Sequence, residues 1–222
     1  MDNRLRTIAF ITLAMIIFNT KCISPTYECA QVRKGNHGWC GFTGGYRSCD
    51  YSIPDGESYV DSRALIGSVG FTHGFNDNTA IYYNGAIYFA SCKSYVEAQS
   101  RKFGGFATLS LGIKFEPTSS SDPIAVSFAT GPTLTEGWRS RIMFGFRGTS
   151  HGAIEDSTDR REFVSFGTNI TLLFPTEVFT NLRIFGNSGV VLYVGYRFPY
   201  MYPSGSEDIA AKNIAIGIGY EW

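Results

Sequence analysis

The chain lacks a net charge, because its 222 residues hold 19 Lys and Arg against 19 Asp and Glu. Proteins that bind nucleic acid carry clustered positive charge that neutralises phosphates, so this balance gives no indication of a nucleic-acid partner. Charged residues make up only 17% of the chain, whereas aromatic residues make up 15% and glycine is frequent, with 25 residues. Together with the length, this composition allows one barrel or sandwich domain.

Long hydrophobic runs are missing beyond the first twenty residues. No run of ~18 apolar residues follows them, so the sequence predicts no membrane-spanning helix. At the start, Arg4 and Arg6 precede an apolar stretch over 7–20, whose core of about 12 residues has the length of a signal-peptide core. We predict a signal peptide over residues 1–22, with its cleavage site left open. Lipidation of Cys22, ordinary cleavage nearby and a retained anchor are three alternatives.

Large apolar residues alternate with small or polar ones over the last nine residues of the chain. The apolar set is Ile214, Ile216, Ile218, Tyr220 and Trp222. Period-two alternation predicts a β-strand with one apolar face. The strand resembles the last strand of bacterial outer-membrane β-barrels, and the chain resembles the small eight-stranded barrels of the OmpA and OmpX type. The resemblance implies an outer-membrane location, contact with its lipid, and Tyr220 and Trp222 as a signal read by the barrel assembly machinery.

Seven further segments show the same alternation at lengths near the ~9–11 residues that a tilted membrane strand needs. They are 62–72, 79–90, 102–115, 123–135, 138–149, 163–174 and 189–198. With the last strand, they predict an all-β protein: an antiparallel, up-and-down transmembrane β-barrel of about eight strands over residues 62–222.

The segment 177–186 fits either a ninth strand or a short helix. Nine strands would be an odd number, which is wrong for a single-chain bacterial barrel. A tenth strand from 41–61 would restore an even number, but it would place tight turns outside and long loops in the periplasm. We therefore favour eight strands, with 177–186 as a periplasmic helix or irregular crossover.

Four cysteines follow the predicted signal peptide. They are Cys29, Cys40, Cys49 and Cys92. An even set in an oxidising compartment predicts at least one disulfide bond, with connectivity left open among the possible pairings. The segment 23–61 carries turn signals, which predict a loop-like periplasmic segment that plugs the lumen, caps its lower mouth or lies beside the barrel. In the eight-strand barrel, all four cysteines would face the periplasm.

The small and polar positions of the strands should face the lumen. The charged and aromatic residues that we assign to a lumen network are Lys114, Arg139, Arg141, Arg147, Tyr193, Arg197 and Glu221. An eight-stranded barrel barely holds its own side chains, and charges buried there must be paired or hydrated. The cations outnumber the visible acids, Glu221 and Glu136. Two interpretations follow: a basic lumen that binds or passes small anions, or a hydrogen-bonded network that only holds the barrel shut.

Catalytic and metal-binding motifs are missing. The chain has three histidines and no Gly-x-Ser-x-Gly, His-Glu-x-x-His or paired Cys-x-x-Cys motif. The tetrapeptide at 73–76, His-Gly-Phe-Asn, resembles the His-x-Ser-Asn motif of outer-membrane lipid A deacylases, but Phe75 stands where the nucleophilic Ser would be. We therefore predict no enzymatic activity, no cofactor and no metal site.

A structural or surface-interaction role follows from these patterns, exerted through extracellular loops at 150–160 and 199–207 that could meet a surface ligand. A narrow anion-preferring channel is the first alternative. A secreted lipocalin-like barrel that binds a ligand is the second, although the apolar faces carry little Lys or Glu to cover a wet exterior. The sequence identifies neither the partner nor the oligomeric state.

Overall fold

The computed structural model describes residues 25–53, 56–94, 102–134, 137–148, 161–171, 174–184, 189–198 and 212–222. The predicted signal peptide, residues 1–22, and Cys22 lie outside these ranges, so both stay predictions. The described part of the chain contains no helix long and apolar enough to cross a bilayer.

Ten antiparallel strands form one closed barrel in which sequence neighbours are also sheet neighbours. Their bounds are β1 Gly35–Ile53, β2 Gly56–Gly74, β3 Thr79–Ser94, β4 Lys102–Phe115, β5 Ile124–Thr133, β6 Gly137–Gly148, β7 Arg161–Thr171, β8 Phe174–Arg183, β9 Gly189–Arg197 and β10 Lys212–Glu221. The last strand, β10, pairs with β1 and closes the barrel. The predicted antiparallel, up-and-down β-barrel is confirmed, but the count of eight strands was wrong.

The two missed strands are β1 and β8. In β1, glycine occupies five of the positions between 35 and 45, so the segment looks more like turns than like a strand. In β8, a threonine separates Val178 from Leu182 on the outer face, and this short pattern also suits a helix. Missing two strands leaves the count even, so parity could not reveal the error. Residues 35–61, which the turn signals placed in a periplasmic segment, lie mostly in the barrel wall.

The strands are strongly tilted. A row of paired residues that starts at Phe103 on β4 passes once around the barrel and returns to β4 at Phe115, twelve residues further along. For ten strands, this offset corresponds to a tilt of roughly 40° and a radius of about 9–10 Å. Such a lumen has room for an extended chain segment beside the side chains of the wall.

The outer surface of the barrel is apolar, and its inner surface is polar. The large apolar side chains on the outer face are exposed by 36–81%. Examples from seven strands are Phe42, Leu65, Phe89, Leu111, Phe144, Val194 and Ile216. Inward positions carry buried charged or polar residues, which alternate with the apolar ones along the strands. This distribution of apolar and polar side chains is the reverse of that in a water-soluble protein, and it is typical of a barrel surrounded by lipid. It contradicts the lipocalin-like alternative.

The barrel has two different rims. The terminal rim holds the start of β1 at Gly35 and the end of β10 at Glu221, and the distal rim is the opposite one. The connection 149–160 joins β6 to β7 at the terminal rim, whereas the connection 198–211 joins β9 to β10 at the distal rim. The prediction that loops 150–160 and 199–207 share one face was wrong, because β8 adds a third strand between them.

Four strands rise above the rest at the distal rim. β1 and β2 are each 19 residues long, whereas β5 and β10 are each 10 residues long. In the described register, β1 pairs with β10 only up to Ser48, and β4 pairs with β5 only from Ser110 onward. We call the projecting sheet, residues 49–53, 56–60, 92–94 and 102–108, the distal extension.

The carboxyl-terminal residue takes part in barrel closure. Trp222 accepts a backbone hydrogen bond from Gly38, 3.1 Å between N and O, and donates one back to it, 2.9 Å. The Trp222 ring covers the face of Gly38, where any Cβ would collide with the indole. The glycine at position 38 therefore makes room for the aromatic end of the chain.

The cysteines do not form the predicted arrangement. Cys29 and Cys40 are free thiols, and the barrel wall separates them, because Cys29 is buried in the lumen and Cys40 is exposed on the outer face of β1. Cys49 and Cys92 lie on β1 and β3, near the distal rim, with β2 between them. Two strand spacings, roughly 9–10 Å, exceed the Cα separation that a disulfide spans. The prediction that all four face the periplasm was wrong.

Candidate functional site

Residues 25–34, here called the lumen segment, run inside the barrel and lead into β1 at the terminal rim. Tyr27, Glu28, Cys29 and Ala30 are at most 3% exposed. The sequence left open whether the residues before the barrel plug the lumen, cap its lower mouth or lie beside the barrel. The structure shows that residues 25–34 plug the lumen. Because the segment is extended, its backbone N–H and C=O groups need partners from the wall.

Carboxylates of the wall accept the backbone N–H groups of the lumen segment. The two oxygens of Glu162 accept from Ala30 N and from Gln31 N, each at 3.0 Å. Glu116 Oε2 accepts from Val32 N at 2.5 Å. These two acids stand at the terminal ends of β7 and β4, so they hold the segment near the terminal rim.

Donors of the wall hold the carbonyl groups of the same segment. Lys114 Nζ donates to the carbonyl oxygens of Cys29, at 2.6 Å, and Gln31, at 3.4 Å. Arg183 Nη2 donates to the carbonyl oxygen of Tyr27 at 3.2 Å. Asn181 Nδ2 donates to those of Thr26 and Glu28 at 3.0 and 3.4 Å. The wall thus replaces the strand partner that an extended segment would otherwise need.

The carboxylate of Glu28 binds two cations of the wall. Its Oε1 accepts from Lys114 Nζ and from Thr72 Oγ1, each at 2.9 Å, and its Oε2 accepts from Arg141 Nη1 at 3.3 Å. Burial alone would raise the pKa of Glu28, but the charges of Lys114 and Arg141 outweigh it and hold this pKa below its usual value. Glu28 is therefore an anion at neutral pH.

A second ionic cluster joins the lumen segment to β7, β8 and β10. Arg183 donates to Glu162, 2.9 Å, and to Glu221, 2.9 Å. Glu221 in turn accepts from Arg33 of the lumen segment at 2.6 Å. A third cluster pairs Arg147 with Glu116. Buried charges are stable in a protein interior only when they are paired and hydrogen-bonded, and each charge in these clusters has a partner of opposite sign.

Tyr27 fills an aromatic pocket whose floor is made of glycine. Its hydroxyl contacts Thr43 Oγ1 at 2.6 Å and donates to the carbonyl oxygen of Phe42 at 2.9 Å. Its ring lies 5.7 Å from those of Trp39 and Tyr193, centre to centre. A Cβ at any of three wall glycines would collide with the ring or hydroxyl of Tyr27. These glycines are Gly41, Gly217 and Gly219.

All seven residues assigned to the lumen network are buried, each by at least 93%. The structure joins Lys114 and Arg141 through Glu28, and it joins Tyr193 to Glu177 at 2.5 Å. Glu136 lies outside the described residues. The acids that balance the cations were missed. The missed residues are Glu28, Glu116, Glu162 and Glu177, together with the base Arg183.

Three of the missed charged residues lie in segments for which no strand was predicted. Glu177 and Arg183 lie on β8, which the sequence pattern presented as a crossover, and Glu28 lies in a segment that gave no strand pattern. The available signal was the run Glu177, Phe179, Asn181 and Arg183, which alternates with period two. Among the described residues, five buried acids face six buried bases, and the lumen segment adds Arg33, whose side chain is 17% exposed, so acids offset most of the positive charge of the lumen.

Two cavities beside the lumen segment are small. One cavity of about 10 Å³ is lined by Glu28, Thr72 and His37, among others. A second of about 20 Å³ is lined by Pro25, Arg139 and Arg141, among others. A single water needs ~10–15 Å³, so neither cavity is a pore.

Comparison with known proteins gives no family. No family model matches the chain, and no curated protein matches it. Solved structures with a similar fold include the COG4313 outer membrane channel from Pseudomonas putida F1, at 11% identity and a TM-score of 0.45, covering 90% of this chain and 99% of that one.

Two other similar structures have different activities. Ail, the attachment invasion locus protein of Yersinia pestis, matches at 11% identity and a TM-score of 0.32, covering 86% of this chain and 100% of that one. The outer membrane protease OmpT from Escherichia coli matches at 10% identity and a TM-score of 0.33, covering 91% and 100%. At such identities and TM-scores, the activity of neither protein is transferred to this chain.

The class of the protein rests on its own structure. A closed antiparallel barrel with a lipid-compatible exterior is the architecture of an outer-membrane β-barrel protein, as predicted. The prediction that the chain is not an enzyme is contradicted, because a protease is among the similar barrels. The absence of familiar motifs was too weak a ground for excluding catalysis.

Proposed function

We propose that the chain is an integral outer-membrane β-barrel protein that is closed by its own lumen segment and acts at the cell surface through its distal rim. The observation that carries this proposal is the reversed polarity of the barrel, apolar outside and ionic inside. The filled lumen favours a structural or surface-interaction role over the narrow anion channel.

The terminal rim faces the periplasm in this proposal. Both the start of β1 and the end of β10 lie there, as in outer-membrane barrels whose two ends remain in the periplasm. Tyr220 and Trp222 at this rim are then the signal read by the barrel assembly machinery during insertion. The pairing of Trp222 with Gly38 supports a role of the last residue in closure.

The distal rim offers the surface for a partner. The distal extension projects beyond the shorter strands, and Phe103 on it is 81% exposed. β9 ends and β10 begins at the same rim. The proposed surface is therefore built in part from projecting strands.

Epitope tags inserted after Ser204 and, in a separate variant, after Ser157 test this orientation. We expect antibody to bind the Ser204 tag on intact cells and the Ser157 tag only after the outer membrane is permeabilised. Both proteins should fractionate with outer membranes and migrate differently on gels before and after heating. Binding to the Ser157 tag alone on intact cells would reverse the orientation, and a soluble protein would refute the proposal.

A further inference from the structure

The environment of Glu28 is a complete carboxylate site built by the barrel wall. Thr72 on β2, Lys114 on β4 and Arg141 on β6 all donate to its two oxygens at 2.9–3.3 Å. The three donors are at most 7% exposed. The lumen segment supplies the carboxylate, and it also accepts from two of the donors: Arg141 Nη1 donates to Thr26 Oγ1 at 3.2 Å, and Lys114 Nζ donates to the carbonyl oxygen of Cys29 at 2.6 Å.

The cation at the centre of this site is oriented by other wall residues. Arg141 Nε donates to Asn169 Oδ1 at 3.1 Å, and its guanidinium lies 5.9 Å from the centre of the Tyr82 ring. Neither contact depends on Glu28. The site should therefore keep its shape when the carboxylate is removed, because its donors are positioned in advance.

Two buried cations without an anion are costly. Removing one partner of a buried ion pair leaves an uncompensated charge, which destabilises a protein far more than the loss of the contact alone. Lys114 and Arg141 are at most 5% exposed, so water solvates them little. Without Glu28, the wall would attract an anion of matching shape.

The size of that anion follows from the side chain. Truncation of Glu28 to alanine deletes one methylene and the carboxylate, which together correspond to acetate. The deletion adds this space to the cavity that Glu28 lines with His37 and Gly38 at the terminal rim. Arg141 lines the second cavity, next to Pro25 and Arg139.

We propose that Thr72, Lys114 and Arg141 form a binding site for a small monocarboxylate, which the chain's own Glu28 occupies as a tethered ligand. This site goes beyond the proposed surface role. An experiment can refute the carboxylate site without refuting the surface role, because the site is the same whichever rim faces the cell exterior.

Chemical rescue of the full-length variant Glu28→Ala tests the site. The variant and the wild type are refolded in detergent and unfolded by heat in sodium acetate and in sodium chloride at equal ionic strength. We expect acetate to raise the unfolding temperature of Glu28→Ala by about 2–4 °C or more over chloride, in a saturable manner, and to leave the wild type unchanged.

Two further variants fix the location. Glu28→Ala combined with Arg141→Met should bind acetate at least tenfold more weakly, because the central cation is gone. Gln31→Ala, a truncation of a buried neutral residue of the lumen segment, should show no difference between the two salts.

Every outcome bears on the proposal. If Glu28→Ala folds only in acetate, the site is supported. Failure to fold in both salts, equal stabilisation by chloride and acetate, or the same acetate effect in the wild type would each overturn it.

Discussion

At the scale of single residues, glycine is placed where the lumen segment needs space. Gly219 on β10 faces inward, and any side chain there would strike the ring of Tyr27. Gly44 on neighbouring β1 faces outward, and the only atom near its Cβ position is the carbonyl oxygen of Ile216 at 3.9 Å. The same residue type thus serves close packing at one position and not at the other.

Substitution of these two glycines by valine separates the roles. We expect Gly219→Val to lower the free energy of unfolding by about 1–3 kcal/mol, because Tyr27 must leave its pocket or the wall must shift. Gly44→Val should change it by less than about 0.5 kcal/mol. Urea unfolding in lipid vesicles, followed by tryptophan fluorescence, measures both, and equal losses would contradict the assigned position of Tyr27.

At the scale of elements, β10 shows why one face of each strand must remain apolar. Ile216 is 64% exposed on this strand and is followed by Ile218 and Tyr220 on the same face. In a soluble protein, replacement of so exposed an isoleucine by lysine would cost little. In a bilayer it would place a charge in hydrocarbon.

The substitution Ile216→Lys therefore tests the membrane face of β10. We expect it to destabilise the barrel in vesicles by about 2–4 kcal/mol, the cost of a cation near the bilayer midplane. His73→Lys, at the terminal end of the outer face of β2, is the matched control and should cost about 0–1 kcal/mol. A neutral effect of Ile216→Lys would contradict lipid contact at this face.

At the scale of the whole molecule, the lumen segment converts a wide barrel into a closed one. Its backbone is held by Glu116, Glu162 and Arg183. Of its charges, Glu28 pairs with Lys114 and Arg141, and Arg33 pairs with Glu221. These contacts run between residues far apart in sequence, so closure depends on the complete barrel. Weakening the two carboxylate anchors should loosen the segment without altering the outer face.

Planar-bilayer recordings check this closure. We expect no steady current through the wild type. The double variant Glu116→Ala with Glu162→Ala should show flickering currents at least roughly tenfold above the baseline noise of the wild-type recording, because the segment loses its N–H acceptors and opens locally. Ile218→Ala on the outer face is the control and should remain silent. A steadily conducting wild type would show that the lumen segment does not seal the barrel.

The class of the fold and the facing of most strands could be predicted from the sequence alone. Period-two alternation is a local property that can be followed residue by residue along the chain, and it is enough to assign Lys114, Arg141 and Tyr193 to the inner face. It failed at β1 and β8, where glycine or polar outward residues weaken the alternation.

The identity of the segment that fills the lumen and the pairing of the buried charges became visible in the folded barrel and could not be predicted from the sequence. Glu28 and Lys114 are 86 residues apart, and Arg33 and Glu221 are 188 apart. No local pattern encodes such pairs, because they depend on the strand count, the register and the path of the lumen segment. The same closure decided which rim each loop occupies, since one added strand reverses the direction of the chain.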